Sequence, residues 1–170
     1  MTPRERAEAS EAIARRVRES RAWQRAKTVL LYAPMAREAD LMPLMTEALA
    51  SGKRVLFPRC GEGHTLALIE VKTEADLEAG MYGLREPKET GAAVPPEAVD
   101  LALVPVVGLD AEGGRLGNGG GYYDRLLPRL MCAVLAGFAC QRVPAVPMEP
   151  HDRRGHAIVC PDYDTLEELP

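Results

Sequence analysis

The residues best suited to chemistry stand together in Gly113-Gly114-Arg115-Leu116-Gly117-Asn118-Gly119-Gly120-Gly121-Tyr122-Tyr123-Asp124-Arg125. Six of the chain's 15 glycines fall here, after the apolar run 101–109 and ahead of a stretch, 122–131, whose pattern predicts a helix. Glycine lets the backbone approach a ligand closely and take positive φ. Free N–H groups and the dipole at a helix start favour an anion. Arg115 and Arg125 can hold a phosphate, and Asp124 a cation. The chemistry suggested is phosphate binding, first of all of a nucleotide. The competing reading is a tight strand-to-helix crossover with no ligand. Two familiar phosphate loops are excluded. A dinucleotide fingerprint starting at Gly117 needs glycine where Tyr122 stands, and the Walker pattern needs Gly-Lys-Ser/Thr.

The elements that must position this stretch are legible in outline. Thr2-Pro3-Arg4-Glu5 is a capping box with proline at the first helical position, and predicts a helix to about residue 19. Its stripe Ala9, Ile13, Val17 is narrow, and Trp23 seats the turn that follows. The run 28–33 is apolar and β-branched, as a strand covered on both faces should be, and Pro34 closes it. Asp40 is the expected N-cap of a helix bearing Leu41, Leu44, Met45, Ala48 and Leu49, with Gly52 past its end. A second strand, 54–57, is expected to stop at Pro58. Strand, helix, strand implies a right-handed crossover and a parallel sheet, with the ligand site at the carboxyl ends of the strands. Glu38 and Arg59 lie just past those ends. Further strands are expected at 66–71 (perhaps antiparallel to its neighbour), 101–107, 132–138 and 156–160. The segment 79–87 shows little periodicity. The proline-rich loop 141–152 delivers Glu149, His151 and Asp152.

Composition bounds the class. The chain has 170 residues, 46% hydrophobic and 27% charged, which suits one globular domain over 1–170. A formal net charge of −4 argues against a nucleic-acid partner. No apolar run reaches membrane-span length, and the charged N-terminus is no secretory signal, so a cytoplasmic location is expected. Cys60, Cys132, Cys140 and Cys160 have neither zinc nor C-x-x-C spacing, and three of them are expected as buried free thiols.

Arg115 to Asp124 resembles the R-L-G-x-G-G-G-Y-Y-D motif of the 5-formyltetrahydrofolate cyclo-ligase (methenyltetrahydrofolate synthetase) family. Tyr32-Ala33-Pro34-Met35 with Glu38, Phe57-Pro58-Arg59, Gly83-Leu84-Arg85-Glu86-Pro87, the strand from Asp100 to Val107, and Val146 to Asp152 resemble its other motifs, in order. The resemblance implies a three-layer α/β/α fold with a mostly parallel central sheet, like ribose-5-phosphate isomerase and CoA-transferase domains. It implies an ATP- and Mg2+-dependent conversion of 5-formyltetrahydrofolate to 5,10-methenyltetrahydrofolate by a monomer or weak homo-oligomer. It assigns catalysis to Arg115, Tyr122 and Asp124, and ATP binding to Arg115, Leu116, Gly117, Asn118, Gly119, Gly120, Gly121, Tyr122 and Tyr123. Folate falls to Ala33, Glu38, Tyr82 and the shared residues Asn118 to Tyr122. The magnesium ligands it implies are Asp124 and Asp152.

Three departures accompany the likeness. The family's lysine and arginine for the ATP phosphates lie on a short helix that precedes the position of Met1-Thr2-Pro3. Either the start lies too late, or ATP binding is weakened, or arginines such as Arg15 substitute. Asn118 replaces a frequent aromatic or basic residue. Arg154-Gly155-His156 replaces a segment that often bears a second aspartate, leaving Asp152 alone there. The alternatives to the enzyme are a relative acting on another substrate and a non-catalytic nucleotide or folate sensor.

Overall fold

A computed structural model describes residues 1–89, 91–150 and 152–169, with Tyr82 described in its backbone alone. In chain order the elements are α1 (Pro3–Glu19), α2 (Arg21–Arg25), β1 (Thr28–Leu30), α3 (Met42–Ala50), β2 (Arg54–Gly61), β3 (Thr65–Glu70), β4 (Leu77–Ala79), β5 (Arg85–Pro87), β6 (Ala93–Val94), β7 (Leu101–Pro105), β8 (Gly108–Leu109), β9 (Arg115–Leu116), α4 (Tyr122–Leu126), β10 (Ala133–Ala136) and β11 (Ala157–Val159). Seven strands form one sheet in the order β11-β10-β7-β1-β2-β3-β6. The pairs from β11 to β2 are parallel, and β3 and β6 join antiparallel.

Strand alternation builds two cores. Val29, Leu101, Leu103, Val134 and Val159 face α1, α2 and α3, among Ile13, Val17, Trp23, Leu44 and Met45. Leu30, Ala102, Val104, Leu135 and Ile158 face the opposite layer, which is thinner and built from Leu126, Leu127, Leu130 and Val99. The architecture is therefore three-layered with a mostly parallel sheet. At the start of α1 the Thr2 side chain accepts from Glu5 N–H and the Glu5 carboxylate from Thr2 N–H, the capping box expected from the sequence.

Four local expectations need correction. β2 does not stop at Pro58. Leu31 N–H donates to the Leu56 carbonyl at 2.9 Å. The next bond of that parallel ladder would come from the N–H of residue 58, which proline lacks. Pro58 thus ends the β1–β2 ladder, while β2 stays paired with β3 through Gly61. α3 starts two residues after Asp40, which accepts from Met42 N–H at 3.0 Å, while the N-cap position is Leu41. Pro43 then lies in the first turn, where a helix needs no N–H from it, and Leu41 is the non-helical residue before it. The segment 77–87 forms the ribbon β4–β5, closed by a 3-10 turn at Met81–Gly83. α4 is five residues long and passes into a 3-10 turn, Leu127–Arg129. Here Pro128 cannot donate to the Asp124 carbonyl, so the α-helix closes early.

Candidate active site

The glycine stretch is two devices. Gly113 and Gly114 turn the hairpin β8–β9, which stands between β7 and the loop. Gly113 holds φ +82°, and Asp110 gathers the turn by accepting from Gly114 N–H at 2.7 Å, Glu112 N–H at 3.0 Å and Val146 N–H at 2.9 Å. Burial works against a charge on Asp110, but those three donors and nearby Arg154 overcome it and hold the carboxyl below its ordinary range. Gly117 to Gly121 are the loop proper, with Gly119 at φ +83° and Gly121 at φ +67°. A helix as short as α4 has little dipole, so loop geometry and side chains, rather than the helix start, must carry any phosphate binding.

Arg115 is the centre of the charged groups. Its side chain is 7% exposed, donates from Nε to the Pro105 carbonyl at 3.1 Å and from Nη1 to Asp124 Oδ1 at 3.2 Å, and lies 5.0 Å from the Tyr123 ring centroid. Burial draws the guanidinium pKa below its ordinary value while Asp124, Tyr123 and Glu38 oppose that shift. Arginine stays charged throughout. Burial also pushes the Tyr123 phenol up, with Arg115 pulling it back. A Cβ on Gly117 would stand 2.6 Å from Arg115 Nη2, so a side chain there would push the guanidinium from its place under the loop.

Glu38 sits past β1 and faces the same loop. It accepts from Met35 N–H at 2.9 Å and from Asn118 Nδ2 at 3.4 Å. Burial raises its pKa, against the Met35 bond, Arg115 and Asn118. One cleft of about 560 Å³ is lined by Ala33, Glu38, Arg115, Asp152 and every residue from Leu116 to Asp124. Tyr32 and Pro105 bring the carboxyl ends of β1 and β7 to it. Those strands are neighbours from which the chain leaves in opposite directions, a topological switch point.

Some expected groups lie elsewhere. Arg59 donates to the Pro87 carbonyl at 2.5 Å and to Glu78 at 3.3 Å, turning toward the β4–β5 ribbon. Arg125 is exposed and donates to the Gly121 carbonyl at 3.3 Å. Arg15 is exposed on α1 and outside the cleft lining. Tyr82 occupies the Met81–Gly83 turn, but its side chain, like His151, lies outside what the structure describes. All four cysteines are free, as expected, but only Cys160 is buried; Cys60 and Cys132 are half-buried and Cys140 is exposed. The reading in sequence missed Cys60, His64 and Glu86 as lining residues. His64 has φ +58°, and its ring centroid is 5.2 Å from that of Tyr122. No spacing signal marks it, because β2 and β3 bring it across the sheet edge.

Among the described residues no group of three or more His, Cys, Asp and Glu is arranged to hold a metal ion. Mg2+ usually takes only one or two protein carboxylates beside substrate phosphates, which Asp124 and Asp152 on one cleft can supply. Glu38, Glu86, Asp124 and Asp152 set four carboxylates in the lining against the guanidiniums of Arg85 and Arg115. A phosphate ligand entering that surplus needs a cation with it.

The sequence is 33% identical over 123 residues to the probable 5-formyltetrahydrofolate cyclo-ligase of Schizosaccharomyces pombe, a match spanning 69% of this chain and 60% of that relative's length. It is 29% identical over 168 residues to the 5-formyltetrahydrofolate cyclo-ligase of Escherichia coli K12, spanning 95% of this chain and 92% of that one. The NMR structure of Aquifex aeolicus 5,10-methenyltetrahydrofolate synthetase superposes with a TM-score of 0.85 at 35% identity, over 96% of this chain and 84% of that one. With the family's sequence profile matched across residues 1–161, the chain belongs to the 5-formyltetrahydrofolate cyclo-ligase family.

Proposed function

We propose that this protein, as a single domain over 1–170, closes 5-formyltetrahydrofolate to 5,10-methenyltetrahydrofolate, converting ATP to ADP and phosphate. The observation that carries this reading is the single cleft in which Asn118 bridges the glycine loop and Glu38. Two substrates that must exchange a phosphoryl group need such a shared space. The formyl oxygen takes the γ-phosphoryl group. N10 then attacks the formyl carbon and loses its proton, and the C–O bond breaks to release phosphate. The protein's part is positioning and charge stabilisation. The N–H groups of Gly117 to Gly121 receive the phosphates, with Leu116, Tyr122 and Tyr123 shaping the loop. Arg115 holds Asp124 and adds positive charge beneath it. Ionised Glu38 accepts the pterin N–H donors beside Ala33, and Tyr82 stands on the turn at that side.

Asp124 and Asp152 would hold Mg2+, which supplies neutralisation of the phosphate charge. No helix among the described residues is long and apolar enough to cross a membrane. That is compatible with action in the cytoplasm, as a monomer or weak homo-oligomer without a nucleic-acid partner. The direct test is to mix the protein with 5-formyltetrahydrofolate and MgATP and follow the methenyl chromophore. Its absence at high protein concentration, with ATP still bound, would overturn the reading in favour of another substrate or a sensor.

A further inference from the structure

Glu86 lines the cleft yet is only 3% exposed. Its Oε1 accepts from Cys60 N–H at 3.1 Å, and its Oε2 from Met81 N–H at 3.4 Å. The first donor is near the end of β2, and the second opens the Met81–Gly83 turn. Gly80 leaves the room for this. A Cβ there would collide with the carboxylate, lying 2.5 Å from its carboxyl carbon. Beside it the Cys60 thiol is pushed up to about 12, by burial first and then by Glu86, so it stays a protonated neighbour.

The ribbon β4–β5 that carries this turn shares no ladder with the seven-stranded sheet. Arg59 fastens its base through the Pro87 carbonyl, and Glu86 links the turn to β2. An apolar side chain would pack under a ribbon without the cost of burying a carboxylate. What the carboxylate adds is a fixed separation between two backbone segments, both at the wall of the cleft. Resting on the reading of that cleft as a folate and ATP site, we infer that Glu86 is a positioning residue for folate, pinning the Met81–Gly83 turn to the end of β2. Among the described residues Glu86 makes no direct hydrogen bond to the phosphate side, built from β9, the glycine loop and α4, and meets it through the Cys60 thiol, which contacts Tyr122.

The test uses the full chain with Glu86→Ala, Glu86→Gln and, independently, Gly80→Ala. Amide hydrogen exchange at Met81 and Cys60 reads the pin, and separate KM values for 5-formyltetrahydrofolate and ATP read its consequence. Two part-buried donors left without their acceptor should raise the folate KM about tenfold in Glu86→Ala, with ATP KM within about twofold. Exchange at the two amides should accelerate while the strands of the main sheet keep their protection. Glu86→Gln keeps one acceptor oxygen and should fall between; Gly80→Ala should reproduce the split by displacing the carboxylate. Unchanged exchange in Glu86→Ala overturns the pin. Faster exchange with both KM values moved alike, or neither moved, overturns the folate assignment. A wild-type protein inert toward 5-formyltetrahydrofolate would instead sink the functional reading, and the exchange arm alone would then decide the pin.

Discussion

At the scale of single residues, the two carboxylates proposed for folate and metal call for different measurements. Glu38 is half-buried, and burial raises its pKa above the ordinary carboxylate value. The ionised form is the one that accepts pterin N–H donors. Folate affinity should therefore be full above that raised pKa and fall as pH drops through it, a limb visible in folate KM and absent from ATP KM. Glu38→Gln should remove the limb and raise folate KM about tenfold at neutral pH, through loss of a charge-assisted bond. Because the folded protein resists ionising Glu38, the same variant should hold or gain thermal stability. A change confined to ATP would show the residue to be misplaced. Asp124, paired with Arg115 at 3.2 Å, calls for a different measurement. Asp124→Asn should keep the fold and lower turnover about a hundredfold, with a shifted Mg2+ requirement. Identical Mg2+ titrations of variant and wild type would refute a ligand role.

At the scale of elements, the glycine loop makes a prediction that separates shape from flexibility. Gly117 and Gly119 are two residues apart, yet a Cβ at 117 would press on the Arg115 guanidinium, while at 119 it would meet nothing within 4 Å. Gly119→Ala is strained only by its φ of +83°, a cost of about 1 kcal/mol. Gly117→Ala displaces a buried cation. Turnover should fall far more in Gly117→Ala than in Gly119→Ala. Equal losses would mean that loop conformation matters and the contact with Arg115 does not. The same stretch shows where sequence was a good guide. Thr2 with Glu5 announced α1, and the glycine, tyrosine and aspartate order announced the loop, because both are set by local chemistry. Pro58 and Pro128 were harder, since a proline's effect depends on which carbonyl lacks its donor. At Pro58 that carbonyl belongs to a neighbouring strand. His64 and Glu86 were harder for a related reason: His64 comes to the cleft through the pairing of β2 with β3, and Glu86 through the separate ribbon β4–β5.

At the scale of the whole molecule, Asp110 joins what the sequence separates. Its carboxylate ties the hairpin turn at Glu112 and Gly114 to Val146, next to Pro147 of the cleft wall, and Gly113 and Gly155 pack through a 2.8 Å backbone bond close by. Its folded pKa lies below the ordinary value of about 3.9, so its stabilisation is fully present above that value. It is lost as pH falls through the lower, folded value. Asp110→Asn keeps an acceptor for the hairpin turn but turns an amide donor toward Val146 N–H, or the reverse. At least one donor is then left unmet, costing about 1–3 kcal/mol at neutral pH. Two features should appear together in denaturant melts taken from pH 7 to pH 2. The variant should be less stable at neutral pH, and the gap to wild type should close below about pH 4 as wild-type Asp110 takes up its proton. A gap constant across that range would mean that the carboxylate's charge contributes nothing and only its shape matters. Because Val146 and the glycine hairpin meet at Asp110, the loss should also reach the cleft, appearing as weaker binding of both substrates rather than of folate alone.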